Sequence, residues 1–98
     1  MPIDLKRLTA RSPDVSVIVP TFGRPDAIVR LLHGLARQTL EPGRFEVVVT
    51  DDGTQPPVAP ILSQLKLPYS LQCEWQKQAG PGAARNRAIA KARGRLLV

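Results

Sequence analysis

At 98 residues the chain is long enough for one small domain and no more. A hydrophobic share of 43% suits a packed core and excludes a disordered tail, while a formal charge of +6 points to anionic partners: nucleic acid, an anionic membrane surface or a phosphorylated small molecule. The single cysteine, Cys73, excludes an internal disulfide framework and a cysteine-built zinc site, and fits a reducing cytoplasm.

Residues 1–14 are mixed polar, carry no apolar core of the kind a secretion signal needs, and read as a flexible arm closed by turn chemistry at Ser12-Pro13-Asp14. Val15 to Val19 is the first buried strand, which Pro20 should end because proline cannot donate to a central ladder. Thr21 to Arg24 is a loop. Pro25 and Asp26 then suit the first turn of a helix, and Ile28, Leu31, Leu32 and Leu35 recur on one apolar face. His33 falls away from that face and reads as a surface residue. Glu41 to Arg44 is a turn, and Phe45 to Thr50 is the second strand.

That second strand carries the first functional signal. The run VVVTDDGT, Val47 to Thr54, is β-branched and apolar, as a parallel strand covered on both faces is. It delivers Asp51, Asp52 and Gly53 to the carboxyl end, where ligands bind in open α/β sheets. Asp52 could accept a hydrogen bond from a base imino N–H. Equally, the four residues Asp51 to Thr54 could be an Asx-type turn that caps the next helix.

Gln55-Pro56-Pro57 breaks the chain, and Val58, Ile61, Leu62 and Leu65 repeat the helical spacing on a shorter helix that Pro68 stops. Tyr69 to Trp75 alternates apolar and polar, as a strand near a sheet edge does. A polar loop, Gln76 to Gly82, leads into an alanine-rich helix over Ala83 to Ala92, with Gly94 as its C′ cap. Glycines that open a helix expose backbone N–H groups to an anion, and Arg85, Asn86 and Arg87 add donors suited to a diphosphate. Lys91, Arg93 and Arg95 read as a solvated basic face. GPGAAR lacks the last glycine of the dinucleotide fingerprint and follows the third strand, so that fingerprint is a poor match. Arg95 to Val98 begins a fourth apolar strand. The order βαβαβαβ predicts an α/β fold with a mostly parallel sheet, and a chain that stops inside a strand predicts the first half of something larger.

In combination, VSVIVPTFGRP, the helix ending Arg37-Gln38-Thr39, EVVVTDDGT and AGPGAARNRAIAKARG resemble the N-terminal half of a family-two glycosyltransferase, from about Val15 to Val98. The resemblance implies a three-layer αβα, Rossmann-like GT-A half-domain over residues 15–98, cut in its fourth strand. It implies a nucleotide-sugar donor, a UDP-sugar by preference, with nucleotide contacts at Pro20, Thr21, Phe22, Asp51, Asp52, Gly53, Gly82, Arg85 and Asn86. Phe22 would stack on the base, Asp52 would read it, and Arg85 with Asn86 would sit near ribose and phosphates. Gly23-Arg24 departs from the asparagine that many relatives carry after the aromatic residue. The family's metal-binding D-x-D motif and its general base fall beyond Val98, so the resemblance implies no catalytic residue and no metal ligand in this chain. A divalent metal, magnesium or manganese, belongs to the full-length inverting enzyme, and this chain alone should be inert. The acceptor is a saccharide or another hydroxyl compound. The resemblance further implies a cytoplasmic protein with peripheral association at the inner face of a membrane. The open sheet edge predicts self-association. A stand-alone Rossmann-type nucleotide-binding module is the alternative reading. Nucleic-acid binding is disfavoured, because the basic residues lie on no aromatic-bearing sheet face or recognition helix.

Overall fold

The computed structural model describes residues 13–38 and 41–98. All but the last two residues of the expected N-terminal arm lie outside that range, as does Thr39.

Four strands form one parallel sheet in the order β3-β2-β1-β4, namely β1 (Val15–Thr21), β2 (Phe45–Asp51), β3 (Ser70–Trp75) and β4 (Leu96–Leu97). Helices α1 (Pro25–Leu35), α2 (Ala59–Leu62) and α3 (Pro81–Lys91) connect them, with a 3-10 turn at Pro42–Arg44 ahead of β2. The expected βαβαβαβ order and parallel α/β architecture are therefore present.

Strand alternation sorts the residues into two covered faces. Val15, Val17 and Val19 of β1, Phe45, Val47 and Val49 of β2, and Leu71 and Cys73 of β3 pack with α1 and α2. Ile28 and Leu32 of α1, Leu62 of α2 with Val58 just before it, and Tyr69 complete that core. The Tyr69 ring lies 5.0 Å from that of Phe45, and its hydroxyl donates to the Leu32 carbonyl at 2.5 Å. The opposite face is covered by α3, which meets β1 and β2 through Ala84 and Ala88, both fully buried. Layers on both sides explain why every residue of β2 is buried. α1 and α2 lie on one face and α3 on the other, so loops leave the carboxyl edge of the sheet in opposite directions and open a crevice between them.

Several local expectations change. β1 runs through Pro20 to Thr21. Ile18 donates to the Val98 carbonyl on the β4 side, and alternation turns the position of the missing Pro20 N–H to that same side, away from β2. Leu31 is 44% exposed, and α1 buries only Ile28 and Leu32 fully. α2 is a single turn with Ile61 exposed, because the chain leaves the helix at Ser63 well before Pro68. Gly94 is no C′ cap: α3 ends at an extended Ala92, and Gly94 instead presses against β1. The β4 edge leaves Leu96, Leu97 and Val98 exposed.

Candidate functional site

The two carboxylates at the end of β2 do different work. Asp51 is fully buried, and its oxygens accept the N–H groups of Thr54 at 3.0 Å and Val58 at 2.9 Å. It holds the turn that Gly53 makes and starts the path into α2, so the Asx-turn reading describes Asp51. Gly53 adopts φ +94°, and a Cβ there would lie 2.9 Å from the Gln78 nitrogen. Positive φ and close approach both demand glycine at this position.

Asp52 turns the other way, toward the loop before α3. Its Oδ1 accepts from Gln76 Nε2 and the Ala79 N–H, each at 2.8 Å, and its Oδ2 accepts from the Gly80 N–H at 3.0 Å. The Gln76 amide and the two backbone donors hold its carboxyl below the usual carboxylate range, against the opposing push of burial. A carboxylate offers roughly four lone-pair directions; three bonds leave one acceptor direction, on Oδ2.

The loop after β1 is tied to the same turn, since the Gly23 N–H donates to Thr54 Oγ1 at 2.7 Å. Trp75 donates through Nε1 to the Thr54 carbonyl at 3.1 Å, which places this ring as a brace on the β2 exit. Pro20, Thr21, Phe22, Asp52, Pro81 and Ala84 surround one hollow of about 130 Å³. Phe22 is 50% exposed and forms its wall. On the other side of Phe22 lies a wider hollow of about 450 Å³, bounded by Gly53, Gln55, Pro56, Ile61 and Gln78.

Of the residues expected to contact a ligand, Pro20, Thr21, Phe22 and Asp52 thus share a hollow, and Gly53 borders its neighbour. Asp51 is sealed from both. Gly82, Arg85 and Asn86 stand exposed on the first turns of α3, beside the hollow and not in its wall. Arg85 makes no ion pair among the described residues. Gly82 and Ala83 follow Pro81 at the start of the helix, where backbone N–H groups have no intrahelical acceptor. This helix end and the Arg85 guanidinium together present positive potential to an anion.

The other basic residues of α3 and of the stretch after it form ion pairs. Arg87 and Lys91 pair with Glu74 at 3.0 and 3.4 Å, Arg93 pairs with Glu46, and Arg95 pairs with Asp14. Lys91, Arg93 and Arg95 are exposed, as expected of a solvated face, and Lys91 and Arg93 also reach Glu74 and Glu46 on β3 and β2. Pro81 and Ala84 were missed as site residues; a proline at the first helical position followed by a small residue one turn on was their only signal. Cys73 is no nucleophile: burial, reinforced by the charges of Asp51 and Glu74, pushes its thiol up to about 11. His33 is exposed, as expected.

Among the described residues no group of three or more His, Cys, Asp or Glu could hold a metal ion. Asp51 and Asp52 already accept N–H donors, so this donor set does not fit a divalent cation. Among the same residues no helix is long and apolar enough to cross a membrane.

Comparison with known proteins points to one family. Residues 16–98 match the pattern of Glycosyl transferase family 2. The chain is similar to glycosyltransferase AglE of Haloferax volcanii, 33% identical over 92 residues, covering 92% of this chain and 30% of that protein. It is also similar to the poly(ribitol-phosphate) beta-N-acetylglucosaminyltransferase TarS of Staphylococcus aureus, 34% identical over 85 residues, covering 85% of this chain and 15% of that one. The crystal structure of S. aureus TarS 1-349 superposes with a TM-score of 0.74 at 35% identity, covering 87% of this chain and 26% of that one. The chain spans between 12% and 30% of the length of the curated relatives it matches.

Proposed function

The chain belongs to glycosyl transferase family 2 and has the GT-A fold, and from that premise we propose that it supplies the nucleotide-binding half of an inverting glycosyltransferase that uses a nucleotide-sugar donor, with uridine as the base. The observation that carries this reading is the hollow shared by Phe22, Asp52 and the first turn of α3. In such a transfer an acceptor hydroxyl attacks the anomeric carbon and the nucleoside diphosphate departs. The residues here serve the departing group. The Phe22 face stacks on the base, and the remaining acceptor direction of Asp52 Oδ2 takes the imino N–H. The Gly82 and Ala83 N–H groups with Arg85 receive the pyrophosphate charge, which grows as the glycosidic bond breaks.

A general base for the acceptor hydroxyl is not among these groups, since both acids at the strand exit are engaged by N–H donors. The divalent ion expected of the full-length enzyme finds no ligand set among the described residues, and no step here is routed through it. TarS is a poly(ribitol-phosphate) beta-N-acetylglucosaminyltransferase, and by that likeness the acceptor is taken to be a hydroxyl-rich polymer. The 98 residues by themselves bind donor without turning it over.

Calorimetric titration with uridine, adenosine, guanosine and cytidine diphosphates tests the reading. UDP should bind in preference to ADP, and Phe22→Ala should weaken it by about 1–3 kcal/mol, the cost of a lost base stack. Half-exposed Phe22 supports no core, so the melting temperature should not change. Arg85→Ala should weaken UDP while leaving uridine unaffected. Equal affinity for all four nucleotides, or wild-type affinity in Phe22→Ala, would refute the assignment.

A further inference from the structure

Glu46 is a charged residue inside a strand that is otherwise sealed. It is fully buried, and its carboxylate gathers donors from three other segments. Ser16 Oγ of β1 donates to Oε2 at 2.6 Å, and Gln72 Nε2 of β3 donates to Oε1 at 3.1 Å. From the stretch after α3 come the Arg93 N–H at 2.6 Å and Arg93 Nε at 3.2 Å. Ser16 Oγ in turn accepts the Gly94 N–H at 2.8 Å, and Gln72 also donates to the Lys91 carbonyl at 3.2 Å. Burial alone would raise the Glu46 carboxyl, but these donors outweigh it and hold it below its ordinary value.

At the other end of the same strand, Asp52 holds Gln76, Ala79 and Gly80, the entry to α3. β2 therefore grips α3 at both ends. Six strand steps from Glu46 to Asp52 span about 20 Å, and the eleven residues of α3 at helical rise, with the extended Ala92 beyond them, cover about the same distance. The match lets both grips close together. Between them α3 touches the sheet through Ala84 and Ala88, small side chains that interlock little with β1 and β2. A seam of that kind fixes the helix weakly against tilt and slide, so the polar ends decide where it sits.

We propose that Glu46 is a positioning residue for the ligand hollow: by anchoring the C-terminal end of α3 it sets the placement of Pro81, Ala84 and the helix N-terminus at the opposite edge of the sheet. This rests on the nucleotide reading for its purpose but not for its test. In Glu46→Gln, amide hydrogen exchange should quicken at the bonded N–H groups of Ala79, Gly80 and Ala84 as well as at residues 93–94, although none of those three bonds to Glu46 or its partners. A core variant of comparable melting temperature on the other face, Leu62→Ala, should leave the Ala79, Gly80 and Ala84 amides protected. UDP affinity should fall roughly fivefold in Glu46→Gln and stay unchanged in Leu62→Ala. Should Glu46→Gln fail to fold, Ser16→Ala removes the bridge to Gly94, keeps the carboxylate, and should show the same exchange pattern in milder form. Wild-type protection of the Ala79, Gly80 and Ala84 amides in the variant that folds, with loosening confined to 93–94, overturns the proposal. If the wild-type chain binds no nucleotide, the exchange pattern still decides for or against the grip, and only the nucleotide reading falls.

Discussion

Gly94 shows how narrowly single positions are set. A Cβ there would stand 2.6 Å from Ser16 Oγ and 2.7 Å from the Ser16 nitrogen, inside any tolerable contact. Part of that obstacle is backbone, so it cannot rotate away. Gly94→Ala should destabilise the fold by about 1–3 kcal/mol in a urea titration, because the α3–β4 connection must lift off β1. The adjacent acids Asp51 and Asp52 make the same point about identity: one is consumed within its own turn and the other reaches across to a different loop. Their sequence contains both possibilities, and alternation along the strand assigns them to different neighbours.

Among the elements, α1 separates pattern from packing. Leu31 and Leu32 both fit the apolar spacing, yet Leu32 is 0% exposed and Leu31 is 44% exposed. Leu32→Ala should cost about 2–5 kcal/mol in a denaturant titration. Leu31→Ala should stay within about 0.5 kcal/mol. Similar losses at both positions would contradict the placement of this helix. α1 lies over β1 with one stripe inward, and the width of that stripe depends on the neighbouring layer. The run of Val47, Val48 and Val49 needed no such context, since a β-branched strand covered on both faces reads the same in any register. α2 is one turn long: it ends at Leu62, and the Ser63 N–H bonds back to the Ala59 carbonyl.

Across the whole molecule, the engaged acids give stability a defined pH dependence. Glu46, Glu74, Asp14 and Asp52 all have folded carboxyls below their ordinary values of 4.5 for Glu and 3.8 for Asp. A lowered folded pKa contributes stability that is complete above the unfolded value and is lost as pH falls through the folded one. The melting temperature should therefore hold steady down to about pH 5 and decline below it, and Glu46→Gln should decline less steeply over that acid range. A melting temperature that rises on acidification would contradict these pairings. The sequence by itself determined the order of strands and helices, the buried character of β2 and the glycine-led opening of α3, since each follows from apolar spacing and turn residues within a short contiguous run. It also carried the family, because its motifs are local. Only the tertiary structure decided which acid faces the hollow, that Gly94 is a contact point and not a cap, and that Glu46 grips a helix end 47 residues away. Those outcomes belong to hydrogen-bond partners that parallel register and helix length bring together, and neither partner marks the other along the chain.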